Sequence, residues 1–511
     1  MKDSIKIFFL SSEVAPYAKT GGLADVAGSL PGALKRLGAD VSVGLPFYRA
    51  VKEGSFQRQV VFKGLEVPLA DQTLVGNVHA TETEDGVPIY LFEREDLFDR
   101  PNLYRTTDGD YYDNLERFAF FSRAALVFAK ATGLPFDVIH CHDWQTGLVP
   151  AYLRTLFRND PAFSSTATLF TIHNIGYQGL FPEEKLFVCG LPPETFHPEG
   201  IEYWGAMSLL KAGIVYSDAI TTVSPKYSLE IQTTEFGMGM EGILRKRSAV
   251  LTGILNGADY SVWNPTMDPH IASNYDADQL LEKMVDKAAL LKETGLEPAL
   301  LERPILGMIS RLSNQKGCDL LIPILEELAT MKVGVVILGE GEEQYESALS
   351  EAAVRYPGNV AVKIGFDEAL AHRIMAGADM FLVPSLYEPC GLTQMYALKY
   401  GTVPVVRATG GLEDTIEEFD PWSKSGYGFK FGPYDSNAFL SAIQRAVDLW
   451  TDRETWEILM RKGMAADFSW DRSAERYLDL YQFLFRTETR FRPVDPTRRA
   501  SEKPPAHPTK K

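Results

Sequence analysis

The sequence predicts an α/β protein made of two doubly wound domains, each with a parallel sheet. Its 511 residues are too many for one hydrophobic core. Short apolar runs alternate with stretches of helical spacing in both halves, the pattern of repeated βα units. The tetrapeptide TGGL occurs twice, at 20–23 and 409–412, and each copy follows an expected strand and opens an expected helix. Glycines there let a backbone come close to a ligand at a helix start, so Gly21, Gly22, Gly410 and Gly411 are candidate contacts.

In chain order, residues 6–10 read as a strand, 11–22 as a loop, 23–37 as a helix stopping at Gly38, and 41–45 as a second strand. From about 52 to 115, short alternating segments and polar turns suggest small strands set on the first domain. Asp108-Gly109-Asp110 lies there; such a triplet holds a divalent metal in some transferases, but its polar surroundings favour a solvated turn. The runs 137–140 and 167–172 read as strands followed by Cys141-His142-Asp143-Trp144 and by His173-Asn174. Neighbouring residues on a strand point to opposite faces, so few of these His, Cys and Asp side chains could reach one zinc ion. Asp143 and His173 are read as catalytic or sugar-binding groups, against the plainer alternative of satisfied loop residues. A strand at 219–223 and the apolar run 251–255 complete the first domain before Asn256-Gly257-Ala258-Asp259.

The second half repeats the alternation, with strands at 305–309, 333–338, 360–364, 380–383 and 404–406 and helices at 318–331, 342–356, 368–377 and 393–399. The loop SRLSNQKG at 310–317 offers Arg311 and Lys316 beside a glycine and a helix start, a good diphosphate clamp; a solvated basic loop is the alternative. Gly339-Glu340-Gly341 lacks the third glycine of a dinucleotide fingerprint. Glu388 and Cys390 lie in a loop between the end of one strand and the start of a helix, where open α/β sheets bind ligands. The expected organisation is 1–256 and 257–467 as the two domains, a helix in 468–485 packing back on the first, and a disordered Pro-, Arg- and Lys-rich tail at 486–511.

Hydrophobic content of 45% and charged content of 23% are ordinary for a globular protein, while a net charge of -17 argues against nucleic acid or an anionic membrane as partner. The four cysteines form no C-x-x-C pair or zinc spacing, which suits a reduced, cytoplasmic setting. No apolar run is long enough for a signal-peptide core or a membrane span. No pattern specifies an oligomeric state.

The runs KTGGL at 19–23, HDW at 142–144, His173-Asn174, SRLSNQKG at 310–317 and EPCGLTQMYALKYGTVPVVRATGGLEDT at 388–415 together resemble bacterial glycogen synthases and plant starch synthases, from Ile5 to about Phe485. The resemblance implies a GT-B fold of two Rossmann-like domains, the first on the acceptor side and the second on the donor side. It implies a hexosyltransferase that moves glucose from ADP-glucose to the non-reducing 4-hydroxyl of an α-1,4-glucan, with retention and with no metal or cofactor. By the same resemblance Lys19, Arg311 and Lys316 meet the donor phosphates and Glu388 lies beside the transferred glucose. Cys390 and Gly391 offer it backbone contacts, and Asp143 and His173 line the sugar site. Asn174, Asn256, Leu392 and Thr393 complete the expected substrate contacts. Wider relatives carry a second Glu eight positions after the first; here Tyr396 stands there, which removes a simple two-carboxylate mechanism.

The assignment is chemically coherent. Breaking the bond from C1 to a diphosphate develops positive charge on the sugar and negative charge on the leaving group, so cations must meet the phosphates and oxygens the sugar. The competing readings are UDP-glucose as donor, a nucleotide-sugar epimerase of the same fold, and a silent glucan-binding protein. An epimerase has no use for a polymer groove, and a silent protein would have lost Lys19, Arg311, Lys316 or Glu388.

Overall fold

The computed structural model describes residues 4–106 and 108–486; the tail expected to be disordered lies, from residue 487 onward, outside the described residues. Two sheets organise the chain. The first has nine strands, in the order Leu251–Gly253, Ala219–Thr222, Ala167–Ile172, Val138–His142, Lys6–Leu10, Asp40–Pro46, Pro88–Glu93, Gln72–Glu82, Gln59–Leu69. The second has six, in the order Val360–Ile364, Gly334–Gly339, Ile305–Ile309, Met380–Val383, Val403–Arg407, Phe429–Phe431, and is parallel throughout.

Both sheets are wound outward from a central strand, so each has a switch point where the connections change direction. In the first it falls between Lys6–Leu10 and Val138–His142, and in the second between Ile305–Ile309 and Met380–Val383. Loops leaving the carboxyl ends of such strands diverge and leave a crevice. The four loops that follow these strands are those carrying KTGGL, Asp143, SRLSNQKG and Glu388.

Three expectations are corrected. The stretch near 52 to 115 is no excursion: Gln59–Leu69 and Gln72–Glu82 are eleven residues each and extend the main sheet antiparallel, joined through Pro88–Glu93. The strand expected at 137–140 continues through His142, because Cys141 and His142 pack on neighbouring strands and are wholly buried. The helix expected at 318–331 is broken into Cys318–Leu321 and Leu325–Thr330 around Pro323, whose ring and missing N–H interrupt the helical ladder.

The last helix, Trp470–Arg486, packs against the first sheet, burying Tyr477 and Tyr481. Its Tyr481 hydroxyl meets Nδ1 of His140 at 2.7 Å, and Ser473 Oγ donates to the Leu255 carbonyl at 2.6 Å. Among the described residues, no helix is long and apolar enough to cross a membrane.

Candidate functional site

At the second switch point two loops are locked together. Gly317 has φ +77°, and a Cβ there would meet the Pro384 carbonyl oxygen at 2.3 Å, so only glycine lets the 310–317 loop lie against the 384–392 loop. Leu386 N donates to the Gln315 carbonyl at 2.8 Å. This contact brings Lys316 Nζ to 2.6 Å from Oε2 of Glu388, and Ser385 Oγ donates to the same oxygen at 2.9 Å. The buried Glu388 carboxylate is thus fixed through one oxygen, and its Oε1 has no hydrogen bond among the described residues.

Beyond Glu388, the Gln394 amide donates to the carbonyls of Cys390 and Gly391 at 3.1 and 3.0 Å, which turns the peptide planes of this loop. The N–H groups of Cys390, Gly391, Leu392 and Thr393 make no hydrogen bond to the described residues, leaving a row of donors at the start of the helix Thr393–Lys399. The Cys390 thiol is turned away into the core, against the backbone N–H of Asn256, and burial pushes it up to about 12. Cys390 is therefore available to a ligand through its backbone only.

The two TGGL turns do different work. At Gly21 and Gly22 an added Cβ would meet nothing within 4 Å. At Gly410 it would meet the Glu388 carbonyl oxygen at 1.9 Å, and at Gly411 the Cys390 oxygen at 2.1 Å. Gly410 and Gly411 thus lie beneath the Glu388 loop, with Gly411 N donating to the Glu388 carbonyl at 3.0 Å. The Gly410 N–H is held by the Glu230 carboxylate at 3.1 Å. The close approach at 410–411 is thus between two pieces of backbone, and both N–H groups there are used within the protein. Gly411→Ala is expected to cost about 1–3 kcal/mol through overpacking, and Gly21→Ala under about 0.5 kcal/mol. Thermal unfolding of the two variants checks this, and equal losses would contradict the distinction.

At the first switch point the 11–22 loop is braced by Glu13, a residue that sequence reasoning passed over. Its buried carboxylate accepts from Thr20 N and Thr20 Oγ1, both at 2.6 Å, and from the Tyr104 hydroxyl at 2.8 Å. Its one legible signal was its place, three residues past a central strand. Lys19 bonds Asp25 at 2.7 Å and is 54% exposed.

Asp143 sits at the end of Val138–His142 with φ 56° and ψ −176°, a region that a side chain occupies only under strain. Its Oδ1 accepts from His173 N at 2.7 Å, which ties the ends of two strands together. Burial pushes its carboxyl up to about 7, although the backbone N–H groups of His173 and Asn174 pull the other way. Burial pulls His173 down to about 3, so its ring is neutral. His173 Nε2 lies 2.9 Å from Nδ1 of His142, a second residue that the sequence reading left unassigned.

The two sheet units touch across the crevice. The Arg311 guanidinium reaches the Tyr177 hydroxyl at 3.4 Å, and the Tyr387 hydroxyl meets the Asn174 side chain. Lys226 N donates to Asp414 at 2.7 Å while Glu230 holds Gly410, so two short helices cap each other across the boundary. Tyr396, at the place of the wider family's second Glu, stacks on Trp263 at 4.6 Å, and Trp263 stacks on His372 at 3.9 Å; the tyrosine ties the chain crossing between units to the helix behind Glu388. Gly109–Asp110 forms one strand of a small hairpin with Arg105–Thr106, and among the described residues no group of three or more His, Cys, Asp or Glu side chains could hold a metal ion.

Two doubly wound units, with cation-bearing loops and a buried carboxylate at their switch points, have the architecture of the GT-B fold, a class to which many glycosyltransferases belong. Residues 6–246 match the family described as starch synthase catalytic domain, and 297–462 match glycosyl transferases group 1. The chain is 48% identical over 476 residues to a glycogen synthase of Koribacter versatilis (93% of this chain, 97% of the relative) and 46% identical over 480 residues to one of Syntrophotalea carbinolica (94% and 98%). The catalytic domain of Arabidopsis thaliana starch synthase IV, solved with ADP and acarbose, superposes with a TM-score of 0.87 at 33% identity, covering 94% of this chain and 100% of that one. The chain belongs to the glycogen and starch synthase family and is a hexosyltransferase.

Proposed function

We propose that this protein transfers glucose from ADP-glucose to the non-reducing end of an α-1,4-glucan, in the cytoplasm, with the acceptor on 1–256 and the donor on 257–467. The carrying observation is the contact between Lys316 and Glu388: a cation suited to the leaving diphosphate and a carboxylate suited to the sugar lie 2.6 Å apart at one switch point. Lys316 and Arg311, with Lys19 from the other side, neutralise the diphosphate. The open N–H groups of Leu392 and Thr393 donate to phosphate oxygens, those of Cys390 and Gly391 donate to sugar oxygens, and Asp143 and His173 line the opposite wall. The ADP complex of the Arabidopsis relative supports the adenine nucleotide. Because a diphosphate leaves readily, the acceptor hydroxyl passes its proton to a departing phosphate oxygen, and Asp143 with Glu388 faces the positive charge on the sugar.

Glucose incorporation into glycogen from ADP-glucose and UDP-glucose side by side tests this. ADP-glucose is expected to be the better donor, and EDTA to leave the rate unchanged, because the cations of the clamp are side chains. A preference for UDP-glucose would reassign the donor, and a rate lost on chelation and restored by Mg²⁺ would overturn the metal-free reading.

Asp143 gives the reaction a pH dependence. With its carboxyl raised to about 7, the ionised form appears only as pH rises through neutrality, so kcat/KM should fall below about pH 7. The same shift acts on stability with the opposite sense. An unfolded Asp ionises near ~3.9, so the folded state binds more protons between ~4 and 7, and this group's contribution declines as pH rises across that window. Asp143→Asn should remove the acid limb of kcat/KM; a limb that persists unchanged belongs to another group.

A further inference from the structure

We propose that His142 is a positioning residue that fixes the tautomer of His173, so that His173 presents Nδ1–H, a neutral donor, to the sugar subsite. His142 is wholly buried on Val138–His142, with its ring packed 4.0 Å from the rings of both Phe9 and His140. Its Nδ1 faces His173 Nε2 at 2.9 Å, and its own Nε2 has no hydrogen-bond partner. His140 does not compete for this contact, since its two nitrogens are taken by Thr171 at 2.6 Å and Tyr481 at 2.7 Å. Burial holds all three rings neutral, so each carries one proton.

Two arrangements satisfy the 2.9 Å contact. If His142 carries its proton on Nε2, an N–H donor is buried without a partner. If the proton is on Nδ1, it is used in the bond to His173, and only a ring lone pair is left over. Buried orphan N–H groups are the rarer defect, so the second arrangement holds. Nε2 of His173 is then the acceptor, and its proton must sit on Nδ1. That nitrogen makes no hydrogen bond to the described residues, and His173 is half-buried at the crevice. A hydroxyl oxygen of the bound sugar is the ligand chemistry it fits. Direction thus passes from the buried strand, through one ring, to the reacting side.

The proposal rests on His173 lining the sugar subsite, but its first test is independent of activity. Nitrogen-15 spectra of the histidine-labelled wild-type protein, with His173 assigned by the signals lost in His173→Gln, are expected to show His173 protonated on Nδ1. Protonation on Nε2 would overturn the proposal. In the second test, His142→Leu should lower kcat ~10- to 100-fold with donor KM little changed, the scale of losing a group that orients a functional histidine. His142→Asn, whose amide N–H stands near the place of Nδ1, should recover most of that loss. Equal losses in both variants, with the His173 tautomer unchanged in His142→Leu, would reduce His142 to a packing residue.

Discussion

Glu388→Ala is expected to lower kcat by at least ~100-fold with a much smaller change in donor KM, the range for removing a preorganised charge from a water-poor site. The carboxylate is buried, and both of its donors, Lys316 and Ser385, bind Oε2. Its Oε1 has no hydrogen bond among the described residues, so the carboxylate is fixed while one oxygen stays available to a ligand. A negative charge so fixed interacts most strongly when the sugar carries its greatest positive charge, in the transition state, so the loss falls on kcat. Glu388→Gln separates charge from shape: it can keep the Ser385 contact and loses only the charge, and it should be nearly as slow as the alanine variant. An unchanged kcat in either variant would remove Glu388 from the chemistry.

Lys316→Ala should lower kcat/KM by ~100- to 1000-fold, more than Lys19→Ala at ~10- to 100-fold. The difference follows from what each lysine leaves behind. Removing Lys316 takes a cation from the diphosphate and also leaves the buried Glu388 without its ion partner, which costs more than the lost contact itself. Lys19, at 54% exposure and paired with Asp25 at 28%, is screened by water, and the carboxylate it leaves is better solvated than Glu388 at 8%. Because Lys316 and Glu388 touch, the double variant Lys316→Ala/Glu388→Ala should fall well short of the product of the single effects. Multiplicative losses would mean that the two side chains act independently.

Most of the architecture was legible from periodicity, because βα alternation is written within each short segment and survives whatever the distant chain does. The four loops at the switch points were legible for the same reason: glycine, lysine and acidic residues directly after an apolar run mark the carboxyl end of a strand. Local signals failed where a long-range partner overrides them. Gln59–Leu69 and Gln72–Glu82 read as short segments because Gly64, Pro68 and Gly76 interrupt them, and they belong to the main sheet because Pro88–Glu93 offers them an edge.

The sequence by itself determined the fold class, the family and the candidate side chains, since each depends on residue type and spacing along one stretch of chain. Only the tertiary structure decided which partners those side chains have. Lys316 meets Glu388 across 72 residues of chain, His142 meets His173 across 31, and Glu230 meets Gly410 across 180. Two identical TGGL turns came out as one turn with open space around it and one pressed under the Glu388 loop. Packing decided that, because no tetrapeptide encodes which distant backbone will lie against it.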